Sequence, residues 1–243
     1  MHIAHAVLRN TLVGLIALLG AAGTQAQAPA ANAEDAMWSG EPIRIGYRQD
    51  AFPFSFVTGR DTPTGYMVEL CQAIVQKLRD PRGKAPAVRF MTIPTDKVES
   101  DMRDGFVDLL CSATTDTPER RSMMAFSHPV FIASVKVLVR QDDPARSVSD
   151  LQKTSVAVLA GTTAHRLATA RSDEWRWNIA PALTSEAALS QVELGWARGF
   201  ARDDVLLAAQ LITGNLGDRY RLLPDALSEE RIAIAVRSNA PEL

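Results

Sequence analysis

The chain has 243 residues, 47% of them apolar and 22% charged, and carries 26 Lys and Arg against 28 Asp and Glu. This balance supports a sizeable core and excludes a disordered, fibrous or multi-span membrane protein, and the lack of a basic excess argues against nucleic acid as a partner. Length alone allows one large domain or two small ones.

Residues 1–28 read as a secretory signal. Arg9 is their only formal charge, an apolar run from Leu12 to Ala22 follows, and Ala26-Gln27-Ala28 supplies a small-x-small cleavage pattern. The run is short for a membrane span. Cleavage after Ala28 leaves 215 of the 243 residues, an exported chain expected in the periplasm. Residues 29–40, rich in Ala, Pro and small polar types, read as a disordered lead-in.

From Glu41 onward, short apolar runs alternate with amphipathic segments. Ile43 to Tyr47 alternates as a strand. Met67, Leu70, Cys71, Ile74, Val75 and Leu78 then fall on one face of a helix over 66–78. Val88 to Ile93 is a second strand, Lys97 to Arg103 a short polar helix, and Val107 to Ser112 a buried strand. Strand, helix, strand, helix, strand predicts parallel α/β architecture. After a β-rich run over Ser134 to Arg140 the pattern restarts: a strand over 156–160, a helix opened by Gly161-Thr162-Thr163, a helix over 183–194, a strand over 198–201 and a helix over 203–212. Ile232 to Val236 returns as a strand. The expected organisation is a first lobe over 41–140, a second over 146–228, and a return to the first over 229–243. Two crossings between lobes make a hinge.

Cys71 and Cys111 are the only cysteines. An oxidising compartment allows them one disulfide, but both positions suit core packing, and two buried free thiols are expected. His128 and His165 have no ligand neighbours at helical or hairpin spacing, so no metal is expected and no cofactor is called for.

Ile45-Gly46-Tyr47-Arg48, Pro53-Phe54-Ser55-Phe56 and Gly65-Tyr66 resemble the opening of the family 3 solute-binding proteins, the periplasmic components of amino-acid ABC importers. Asp108-Leu109-Leu110-Cys111-Ser112-Ala113-Thr114-Thr115, Glu119-Arg120 and Phe126-Ser127 are similar to the family's central block, and Gly161-Thr162-Thr163 and Gly199-Phe200 leading to Asp203 to its later signatures. The wording is nearest to the glutamate/aspartate-binding branch. The resemblance implies a two-lobed periplasmic binding fold, each lobe a mostly parallel sheet flanked by helices, with a two-strand hinge. It also implies a free amino acid as ligand, a membrane permease as partner, and a monomer. Family members usually continue past the strand at Ile232 to Val236 into a helix packed on the first lobe; the sequence stops at Pro241-Glu242-Leu243, as expected of either a fragment or a degenerate relative.

An amino acid presents a carboxylate and an ammonium on one carbon, so its receptor needs a planar cationic donor, an anion and a few neutral groups. Arg120 suits the carboxylate, because a guanidinium binds it bidentately and keeps its charge when desolvated. Thr115 offers a hydroxyl at the carboxyl edge of a sheet, and the Ala113 carbonyl an acceptor. Spacing alone favours Arg120 as a solvated partner of Glu119 or Asp116, and the resemblance reverses that preference. Asp203 is by position an N-cap, and by resemblance the grip on the ammonium, with Asp204 left to cap. Thr162 and Thr163 are either caps or, with the free amides of their helix, part of an anion pocket.

For the side chain, Arg48 stands where the acidic-amino-acid branch has an arginine, but that branch's second arginine aligns with Val98, beside Lys97. Ser185 occupies the approximate place of a family histidine. Phe52, Phe54 and Phe56 alternate and either wall the pocket or fill the core. No Ser/His/Asp order, nucleophile elbow or phosphate loop is present, so no enzyme activity is expected. The alternative is a cyclohexadienyl dehydratase on the same scaffold, acting on prephenate or arogenate with Glu186 or Glu193 as the acid.

Overall fold

The structure, a computed structural model, describes residues 41–59, 61–79 and 83–238; the expected signal and lead-in lie outside them. In chain order the first half contains β1 (Ile43–Tyr47), β2 (Asp50–Ala51), β3 (Ser55–Thr58), β4 (Thr62–Thr64), α1 (Tyr66–Lys77), β5 (Val88–Thr92), α2 (Val98–Arg103), β6 (Leu109–Leu110), α3 (Pro118–Arg121) and β7 (Met124–Phe126). The second half contains β8 (Phe131–Arg140), β9 (Ser155–Leu159), α4 (Thr163–Ala170), α5 (Ser172–Trp175), β10 (Asn178–Ala182), α6 (Ser185–Glu193), β11 (Gly199–Asp203), α7 (Asp204–Thr213), β12 (Tyr220–Leu222), β13 (Ser228–Ile232) and β14 (Ala235–Arg237).

Two large sheets organise most of these elements, in the order β5-β1-β6-β14-β7 and β10-β9-β11-β8-β12, with β13 also on β8, and β2-β3-β4 form a small antiparallel third sheet. In the first, β5, β1 and β6 are parallel, β14 is antiparallel to β6, and β7 is antiparallel to β14. In the second, β10, β9 and β11 are parallel and β8 alone runs against its neighbours. The strands in each sheet thus point one way except for one reversed member. This is the two-lobed α/β architecture of the periplasmic binding fold.

The reversed strands make the crossings. The chain leaves the first sheet after Phe126, joins the second with Phe131, and comes back between Ile232 and Ala235. Here the expected exit near 140 needs correction. β8 pairs over its whole length with β13, β11 and β12 of the second sheet, because its long apolar run finds partners only there.

Each sheet is apolar on both faces, as helix-covered sheets must be. One face of the first packs Ile43, Ile45, Phe54 and Met67 together, the other Ile93, Met102, Leu110 and Met124. The second carries Val137, Val156, Val158 and Trp177 on one side and Leu138, Phe200 and Leu207 on the other. α1 forms as its stripe predicts, with Met67, Cys71 and Val75 buried and Leu70, Ile74 and Leu78 packed at the margin. α2 is less polar than expected, since Val98 and Met102 anchor it.

Cys71 and Cys111 form a disulfide, which overturns the expectation of two free thiols. Both are fully buried in one cluster: the core face of α1 lies over the end of β6, so packing that suits two thiols also brings their sulfurs together. Among the described residues no helix is long and apolar enough to cross a membrane, and no group of three or more His, Cys, Asp or Glu could hold a metal ion.

Candidate functional site

Four strand ends converge between the sheets, where α/β proteins place ligands. Arg48 follows β1, Ala113 to Thr115 follow β6, Gly161 to Thr163 follow β9, and Asp203 closes β11. With Arg120, Arg202, Thr95, Val98 and Leu206 they line one cavity of about 20 Å³. That is room for about one water.

Glu99 of α2 accepts from Arg120 Nε at 3.1 Å and from Arg166 Nη1 of α4 at 2.8 Å, joining the lobes. Glu230 of β13 accepts from Thr115 Oγ1 at 2.7 Å and Thr163 Oγ1 at 2.8 Å, again one group from each lobe. Asp50 takes two bonds from Arg48, each of 2.9 Å, and its backbone carbonyl accepts from Arg202 Nη2 at 2.9 Å. Gly161 permits the close approach: its φ is +79°, and a Cβ there would lie 2.7 Å from the Asp96 Cα.

Burial and the charges nearby tune these groups. Burial lowers the Arg120 guanidinium and Arg166 lowers it further, with Glu99 in partial opposition. For Asp50 burial works against ionisation, but Arg48 and Arg202 outweigh it and hold the carboxyl below its ordinary value. Burial, reinforced by Glu230, pushes Asp203 up to about 6 against the pull of Arg202, Arg48 and Arg120.

The expected residues therefore meet, though not all in the expected roles. Arg48, Ala113, Thr115, Arg120, Thr163 and Asp203 line the cavity. Arg120 is buried and pairs with neither Glu119 nor Asp116, since Arg121 takes Asp116. Asp203 holds the N-cap position of α7 without a side-chain capping bond, while Asp204 accepts from the Ser134 and Val205 amides. Thr162 caps α4 through the His165 amide, which frees Thr163 for Glu230.

Ser185 does not line the cavity. It is buried next to it, accepting from Arg202 Nη1. Phe54 belongs to the core, Phe52 is 40% exposed, and neither lines the cavity. Glu186 and Glu193 are exposed on α6. Sequence reasoning missed Arg202, Glu230, Asp50 and Glu99. A charged residue ending the otherwise apolar run Gly199 to Ala201 was the one available signal for Arg202.

Residues 43–243 match the model of the bacterial extracellular solute-binding proteins, family 3. The chain belongs to that family. Among curated relatives, this family 3 protein is 26% identical over 242 residues to the glutamate/aspartate import solute-binding protein of Escherichia coli K12, covering 97% of this chain and 80% of the relative. Among solved structures it resembles holo ArgBP from T. maritima, with TM-score 0.72 and 25% identity over 84% of this chain and 86% of that one. It also resembles the ancestral amino acid-binding protein AncCDT-1, a precursor of cyclohexadienyl dehydratase, with TM-score 0.72 and 25% identity over 87% and 88%.

Proposed function

We propose that this solute-binding protein captures a free amino acid, with an acidic side chain preferred, in the periplasm by closing its cleft, and delivers it to the permease of an ABC importer. One observation carries this reading: a guanidinium, two hydroxyls and a carboxylate that suit a zwitterion converge on one cavity from both lobes, as Arg120, Thr115, Thr163 and Asp203. Arg120 and Thr115 take the α-carboxylate in exchange for Glu99 and Glu230, Thr163 adds its hydroxyl from the second lobe, and Asp203 takes the ammonium. Contacts completed only in the closed form drive closure. The name of the E. coli relative supports glutamate or aspartate as the ligand.

Isothermal titration calorimetry with the twenty amino acids and simple dicarboxylates tests this. An acidic amino acid is expected to give saturable heat that Arg120→Met abolishes; heat from none of them, or unchanged binding in the variant, sinks the reading.

A dehydratase reading has lost its expected acids, Glu186 and Glu193, to solvent. What favours it is Asp203, a buried carboxyl held near pH 6 in the cavity. Incubation with prephenate separates the two: a receptor yields no aromatic product.

A further inference from the structure

Arg202 is the cleft cation that no motif singled out. It ends the apolar run of β11, is only 3% exposed, and lines the same cavity as Arg120 and Asp203. Its Nη1 donates to Ser185 Oγ and its Nη2 to the Asp50 carbonyl, while its Nε has no hydrogen-bond partner among the described residues. Placing a guanidinium there without full pairing costs desolvation that a structural role leaves uncompensated. Burial and the nearby Arg48 lower its pKa to about 10, so it stays charged at neutral pH.

One carboxylate reaches both Arg202 and Arg48. Asp50 receives two hydrogen bonds from Arg48, which is 5% exposed, and its Oδ2 lies 3.6 Å from Arg202 Nη2. The two cations belong to different lobes, and the Asp50 side chain is 29% exposed. A carboxylate from a ligand in the cavity would find the same two guanidinium groups, with the Arg202 Nε as an additional donor.

We propose that Arg202 and Arg48 form a clamp for a second carboxylate of the ligand, one arm from each lobe, in which Asp50 acts as an internal stand-in until the ligand displaces it. The ligand class is then a compound with two carboxylates. The second of these rewards closure, because its arms come together only when the lobes meet. This inference rests on the amino-acid receptor reading for the first carboxylate, and the test separates the two.

The probes are L-glutamate, L-glutamine and glutarate, titrated calorimetrically into the mature protein, Arg202→Met and Asp50→Asn. Wild type is expected to bind glutamate about tenfold or more tighter than glutamine. Arg202→Met should erase that preference by weakening glutamate alone, and Asp50→Asn, which keeps both arginines, should tighten glutamate about tenfold and leave glutamine unchanged. If the preference persists in Arg202→Met, or is absent from wild type, the clamp is overturned and the receptor reading survives. Glutarate bound without either amino acid, and lost in Arg202→Met, overturns the amino-acid reading and keeps the clamp. If none of the three binds, the clamp falls, and the receptor reading stands or falls on its own titration with the other amino acids. Circular dichroism reports whether Arg202→Met has folded; should it not, an unchanged glutamate affinity in Asp50→Asn overturns the clamp by itself.

Discussion

The two walls of the cleft balance their charge differently. On the first lobe each cation has a carboxylate of its own: Arg48 has Asp50 and Arg120 has Glu99. On the second, both cleft cations reach across, Arg166 to Glu99 and Arg202 to Asp50, while Asp203 takes part in no ion pair among the described residues. The first wall is electrostatically complete when the lobes part; the second is complete only when they meet. An opening cleft therefore leaves its unmet charge on the second lobe, and a ligand carrying charges of both signs is the partner that can meet it. The first lobe also carries the disulfide between α1 and the residue after β6.

If the staple makes the first lobe the sturdier wall, removing it should produce the largest loss. The bond closes a loop over a sequence separation of 40 residues. Chain-entropy reasoning puts the contribution of such a loop at about 4 kcal/mol. Cys71→Ala with Cys111→Ala should lower the free energy of urea unfolding by that order. A loss below about 1 kcal/mol would mean that packing of α1, rather than the cross-link, holds this lobe together.

The unpaired acid of the second wall makes the next prediction. Its folded pKa of about 6 stands above the ordinary carboxylate value, so the folded state binds this proton more tightly than the unfolded chain does. Stability from Asp203 is therefore fully present below about pH 4 and is lost as pH rises through 6, a swing of up to about 3 kcal/mol. The difference in unfolding free energy between wild type and Asp203→Asn, measured from pH 4 to 7, should fall by that order. A flat difference would mean that the second wall has its own counter-charge. An amino acid whose ammonium rests on Asp203 should show the opposite trend, with affinity falling as pH drops below 6.

The contrast between the walls also marks what the sequence made legible. The alternation of strands and amphipathic helices yielded both lobes, because burial imposes period 2 or 3.6 on long stretches. The motif residues Arg120, Thr115, Thr163 and Asp203 were legible through the family resemblance; Thr115, Thr163 and Asp203 also stand at or just past strand ends, whereas Arg120 lies on α3 and its spacing alone pointed to solvent. Glu99, Glu230 and Asp50 were not legible. Glu99 and Glu230 act through partners 21 and 115 residues away, and Asp50, besides its neighbour Arg48, meets Arg202 152 residues on; separations of that size leave no periodic trace. Cys71 and Cys111 failed differently: each was placed correctly on an apolar face, but periodicity says nothing of where two faces meet.

The smallest expected effect tests the contact itself. Gly161 has φ +79° and abuts Asp96 across the cleft, with the Thr95 carbonyl 3.2 Å from a Cβ placed there. Gly195 of the same lobe has φ +74° and nothing within 4 Å of such a Cβ. Alanine at either site meets the backbone cost of the left-handed region, about 1 kcal/mol. Only Gly161→Ala must also push the opposing backbone away, weakening the bridges from Arg166 and Arg202 on which the second wall depends. Gly195→Ala should thus lose about 1 kcal/mol and leave the radius of gyration by X-ray scattering unchanged, whereas Gly161→Ala should lose more and scatter as a more open particle. Equal behaviour of the two variants would show that the second lobe does not draw its charge balance from the first.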